Sequence, residues 1–159
     1  MKAAIAAAAW VLLAGTAPAQ DLPVRLRMPM LEALAALGPD STFGGGCLDR
    51  TGPSVTAPLR WRNVDVWLVA QIEAGRVSDV RLHSTPVPLV VESAGACEAA
   101  MSRFSRGFMA SGLTVAEPST DRFDGPLQRW TQTTSNGYML RAAYRASRNA
   151  CQVWLDVRL

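Results

Sequence analysis

The C-terminal end of the chain alternates without a break: Cys151, Val153, Leu155, Val157 and Leu159 fall on one side, and Gln152, Trp154, Asp156 and Arg158 on the other. A period of two is the repeat of extended chain, so this segment reads as a half-buried strand that needs a sheet to sit in. The same period runs through Val64, Val66, Leu68, Ala70 and Ile72, and resumes at Val80 and Leu82 after a turn at Glu73-Ala74-Gly75-Arg76. Leu59 to Ser84 is therefore expected to be a β-hairpin with one buried face. Pro86 and Pro88 stop it, leaving Leu89-Val90-Val91 as at most a short edge strand. A second hairpin is expected from Leu127–Thr133 and Tyr138–Ala146, joined through Ser135-Asn136-Gly137, because Asn-Gly favours the tight turns that match strand twist. Leu113-Thr114-Val115 reads as a possible strand, and Asp121 to Pro126 as a turn region.

Two segments change to helical spacing. Leu31, Leu34 and Leu37 follow Pro29 at i, i+3 and i+6 and precede Gly38, which suits a short amphipathic helix with proline at its start and glycine at its end. Ser93 can cap a longer helix reaching about Ser111 and closed by Gly112, in which Cys97, Met101, Phe104 and Phe108 form one apolar stripe. Between these, Pro39 to Pro58 is rich in glycine, proline and serine, includes Gly44-Gly45-Gly46-Cys47, and reads as a long loop. No internal repeat is visible in the residues. The expectation is an α+β domain of two layers: an antiparallel β-sheet of two hairpins plus a C-terminal strand, with one main helix packed on it and a short N-terminal helix.

The first residues have a different character. Met1-Lys2, an apolar run from Ala3 to Ala14, and the small residues Gly15 to Ala19 match the charged, apolar and cleavage regions of a secretory signal peptide, with Ala17 and Ala19 at −3 and −1. The apolar run is too short to span a bilayer as a helix. Residues 1–19 are thus expected to be removed, leaving 20–159 as a single domain that is periplasmic or secreted, with no membrane anchor after cleavage. Lys2 is the only lysine, so the remaining basic charge is fifteen arginines against 13 acids. These arginines are scattered among the acids, as in Arg76-Val77-Ser78-Asp79-Val80-Arg81, and form no basic stripe of the kind nucleic-acid binding requires.

Three cysteines in an exported chain favour one disulfide and one leftover thiol. Loop entropy does not choose between the pairings, but facing direction does: Cys97 lies on the apolar helix stripe and Cys151 on the apolar side of the last strand. Cys97–Cys151 is the preferred pair, with Cys47 joined to either, or all three reduced, as the alternatives. Cys47, if left over after its three glycines, is a possible reactive thiol, although a buried or dimer-forming cysteine is the plainer reading.

The inventory of side chains narrows the chemistry. Without lysine beyond Lys2, Schiff-base catalysis, a Ser–Lys dyad and a P-loop are excluded in the mature chain. His83 is the only histidine, so no site needing two imidazoles can form within one chain. His83 reads as an exposed strand-end residue, and Asp65, Glu73, Asp79, Asp121, Asp124 and Asp156 as acids on outer strand faces or turns. No catalytic set and no cofactor is expected. Trp61 and Trp67 share the face of the first hairpin that also carries Asp65 and Gln71, while Trp130 and Trp154 lie on strand faces alternating with polar neighbours. With Arg158 they either form an exposed surface for a protein or glycan partner or are buried as a second small core.

The function that follows is an exported, non-enzymatic domain that binds an envelope or secreted protein through its sheet face or its long loop. The alternatives are an enzyme or thiol-redox factor using Cys47 with His83, and a small inhibitor or immunity-type protein inserting Thr42–Gly46 into a target. If the N-terminal reading is right, intact-mass measurement on protein from the exported fraction will find a chain beginning at Gln20; a chain retaining Met1 would contradict it.

Overall fold

The computed structural model describes residues 22–45, 52–109, 119–122, 127–133 and 138–157. Helix α1 spans Met30–Leu37. Pro29 precedes it with extended backbone, and Gly38 ends it at φ +79°, donating its N–H to the carbonyl of Leu34. Four strands follow, β1 (Thr42–Gly45), β2 (Pro53–Trp61), β3 (Val64–Glu73) and β4 (Arg76–His83), and then the two-residue β5 (Leu89–Val90). Helix α2 (Ala94–Met109) leads to β6 (Ser119–Arg122), β7 (Leu127–Thr133), β8 (Met139–Arg145) and β9 (Ala150–Asp156). The side chain of Ser93 accepts the N–H of Ala96 at 3.2 Å, which caps α2 as its sequence position suggests. The proposed end of this helix at Ser111-Gly112, the Leu113–Val115 strand and the Ser135–Gly137 turn lie outside the described residues.

Two expectations need correction. The stretch Pro39 to Pro58 is not one long loop, because it contains β1 and the first half of β2. Val55 and Ala57 face the core and Trp61 closes the same row, so β2 carries the period-two pattern, interrupted to the eye by Pro53 and Pro58. β1 stops opposite Thr56. Pro58 therefore lies beyond the last β1 pairing, where its missing N–H leaves no gap in that ladder. Asp121 and Arg122 likewise belong to β6 and not to a turn.

The chain reverses between β2 and β3 at Arg62-Asn63, where both residues have positive φ (48° and 64°). Such a two-residue turn matches the twist of its strands but normally recruits glycine or asparagine at both positions. Arg62 takes the unfavourable conformation with its guanidinium 4.9 Å from the ring of Trp61 and 6.0 Å from that of Tyr138, contacts that offset the strain. Ala74 and Gly75 make the corresponding positive-φ turn between β3 and β4.

The strands form one antiparallel sheet in the order β1-β2-β3-β4-β9-β8-β7-β6, with β5 beside the start of β9. This order is that of a doubled unit. Residues 27–29 pair with the start of β4 and lead into α1 and the meander β1–β4. β5 pairs with the start of β9 and leads into α2 and the meander β6–β9. The halves meet where β4 and β9 run antiparallel, with Leu82 opposite Leu155 at the centre of the joint. The repeat that the residues do not display is thus present in the topology.

Both helices pack into a single apolar cluster on one face of the sheet. Ala33 of α1 joins Val55, Ile72 and Val77, while Cys97, Met101 and Phe108 of α2 join Leu140, Val153 and Leu155. Trp61 meets Phe108 and Tyr138 edge-on, each at 5.8 Å. Cys97 and Cys151 are disulfide-bonded, both fully buried, with a sequence separation of 54. A closure of that length corresponds to about 4 kcal/mol of lost freedom in the unfolded chain. A Cys97→Ala/Cys151→Ala variant is expected to lose about 2–5 kcal/mol in denaturant unfolding. In the native protein, dithiothreitol without denaturant is expected to leave this bond intact, as read by mass after alkylation.

Candidate functional site

The face of the sheet opposite the helices carries the polar members of each alternating strand, and at its centre they are buried. Adjacent strands fix a row across β3, β4, β9 and β8: Trp67 stands opposite His83, His83 opposite Trp154, and Trp154 opposite Arg141. One step along, Arg81 stands opposite Asp156. Because β4 and β9 are the middle strands, these side chains are hemmed in from both sides. His83 has no solvent exposure and Trp154 has 1 %.

The contacts at this centre are specific. Arg81 Nε donates to Asp79 Oδ2 at 2.8 Å and lies 3.5 Å from Asp156 Oδ1. Asp156 Oδ1 also accepts the indole N–H of Trp154 at 2.8 Å. Its Oδ2 lies 2.8 Å from Arg141 Nε as an ion pair, off the line of a good hydrogen bond. The Arg81 guanidinium packs 5.0 Å from the Trp154 ring centroid, and the His83 ring stacks on the same indole at 6.0 Å and 21°. Two arginines, two aspartates, a tryptophan and a histidine thus form one cluster across the joint between the two halves.

This arrangement revises several sequence expectations. His83 is not an exposed strand-end residue but a buried one, because its face is roofed by its own neighbours. Asp79 and Asp156 are not solvated acids; their oxygens are occupied by Arg81, Trp154 and Arg141. The four tryptophans do not share a surface. Trp61 is separated from Trp67 by the Arg62-Asn63 turn, which brings it opposite Val64 on the helix side. Trp130 stands opposite Ala142 on that same side and is buried. Trp154 is buried on the opposite face and Trp67 half-buried there, so none of the four offers a broad exposed patch. Thr42–Gly45 is an edge strand and not a projecting loop. Cys47 and Arg158 lie outside the described residues.

Arg81, Asp79, Arg141 and Asp156 were not legible as a cluster, although one signal exists. Asp79-x-Arg81-x-His83 and Trp154-x-Asp156 place charges at alternate positions of strands that prove to be neighbours. Among the described residues, no group of His, Cys, Asp and Glu is placed to hold a metal ion, and no helix is long and apolar enough to cross a membrane. Comparison of the chain with known protein families, with curated proteins and with solved structures finds no match.

What the cluster can do is join strands. Asp156 accepts one hydrogen bond, from Trp154, and is ion-paired with Arg81 and Arg141, while His83 has no solvent exposure. Removing one partner leaves buried charge uncompensated, which is costly, whereas replacing both with apolar groups need not be. Asp156→Ala is expected to lower unfolding stability by about 3 kcal/mol. Arg81→Met/Asp156→Leu is expected to recover part of that loss, and Asp65→Ala, at the exposed Arg60–Asp65 pair, to leave stability unchanged in the same urea titrations.

Proposed function

We propose that this is an exported, non-enzymatic domain that binds a protein partner of the envelope or the surrounding medium. Support for export comes from the first nineteen residues and from a buried disulfide, which is compatible with an oxidising compartment. Support for binding over catalysis comes from the cluster just described, whose polar groups serve one another.

The surface we assign is the segment Ser84–Val91, which links the two halves. The single observation that carries it is the exposure of Val87 (65 %) and Val90 (88 %). The backbone bends through Ser84–Val87, and Pro86 and Pro88, on either side of Val87, each fix their own φ, so little freedom is lost when a partner docks on it. Val91 donates its N–H to the carbonyl of Asn149 at 2.8 Å, and β5 pairs with β9, so the segment is anchored to the sheet while Val87 and Val90 face outward. Two exposed apolar side chains on an anchored segment suit a protein surface better than a glycan, which needs polar contacts.

A photo-crosslinking residue at Val90 is expected to capture a discrete protein in the exported fraction, whereas the same probe at exposed Ser147 captures none. Val87→Asp should abolish the adduct while leaving the melting temperature unchanged. Equal labelling from both positions, or none from Val90, would defeat the assignment.

A further inference from the structure

The two ends of the sheet are equivalent in topology but not in chemistry. β6, at one end, has the sequence Ser119-Thr120-Asp121-Arg122, of which two residues are charged. β1, at the other end, is Thr42-Phe43-Gly44-Gly45, with no charge and no proline. Among the described residues it pairs with β2 alone. Phe43 is 56 % exposed and stands opposite Val55, on the helix side of the sheet. Of the five large apolar residues exposed among the described ones, three (Leu26, Leu31 and Phe43) fall in the short stretch formed by α1, β1 and the approach to α1. Of these three, Phe43 lies on the β1 edge itself.

We propose that the β1 edge is an interface between two copies of this chain, paired antiparallel about a twofold axis at Phe43. Pairing geometry permits this register, and Phe43 as the exposed apolar side chain favours it. Outward-pointing backbone groups alternate along a strand, so two identical strands can pair antiparallel only when opposed residues have the same parity. An axis at Phe43 satisfies this, placing Phe43 opposite Phe43, Thr42 opposite Gly44 and Ser41 opposite Gly45. The two rings then lie on one face at cross-strand distance, as an aromatic pair shielded from water. Asp40 of one copy does not meet Asp40 of the other, so no like-charge contact opposes the pairing. The joint repeats between chains what β4 and β9 make within one: an antiparallel pair about a twofold relation with both helices on the same side. A four-residue strand is a small interface, so the dimer is concentration-dependent and not obligate.

The test is sedimentation velocity on the mature chain from about 10 μM to about 1 mM, a range that spans weak association. It is run with Cys47→Ser so that an intermolecular disulfide cannot create a dimer. The weight-average mass is expected to rise toward twice the monomer. Phe43→Arg, which sets guanidinium against guanidinium at the axis, should weaken association at least tenfold with an unchanged circular dichroism spectrum, while Val90→Asp should leave it intact. A photo-crosslinker at Phe43 should give a covalent dimer joined through peptides containing 42–45. A monomer throughout the range, or a dimer indifferent to Phe43→Arg, overturns the proposal without touching the Ser84–Val91 assignment.

Discussion

Three residue pairs hold the two halves of the sheet together: Arg81 with Asp156, Leu82 with Leu155 and His83 with Trp154. So short a ladder contributes few backbone hydrogen bonds, and its persistence depends on the side chains above and below it. On the helix side, Leu82 and Leu155 are fully buried in the main apolar cluster, and the Cys97–Cys151 bond fastens α2 to the same central strand. On the other side, the paired arginines and aspartates span the joint from β4 through β9 to β8. The centre is thus reinforced on one face by water exclusion and a covalent bond, and on the other by charge pairing around the buried Arg81.

Charge on that second face also explains why the fold needs no third layer. An apolar second face would demand a cover of its own, as sheets buried on both sides have. Instead, the alternating strands supply residues long enough to shield one another. Arg81 covers an indole with its guanidinium, and the indole in turn donates to the carboxylate that the arginine faces. These residues behave as a small polar core laid flat on the sheet.

How much of this could be read in advance follows from which rules are local. The strands around Val64–Ile72 and Cys151–Asp156, the α2 stripe and the Ala74-Gly75 turn were legible because period and turn chemistry lie within a few residues. The facing of Cys97 and Cys151 toward each other followed from the same periods. β1 and the first part of β2 were hidden because their glycines and prolines read locally as loop residues. The Arg62-Asn63 turn was hidden because arginine is a poor choice for a left-handed conformation, made tolerable only by rings that lie far away in the chain. Missing that turn placed Trp61 on the wrong face. The ion cluster was hidden for a deeper reason: its members are polar in sequence, and only the long-range register of β4 against β9 makes them neighbours.

β9 is the last of the described strands in sequence order, yet it occupies the middle of the sheet. Synthesis delivers the ends of the sheet and both helices before the strand that unites them. Until β9 arrives, β4 and β8 each present an open inner edge, the carboxylate of Asp156 is missing from beside Arg81 and Arg141, and Cys97 has no Cys151 to pair with. The joint between the two halves can therefore close only once β9 has been made, and until then the inner edges of β4 and β8 are open to pairing with other strands.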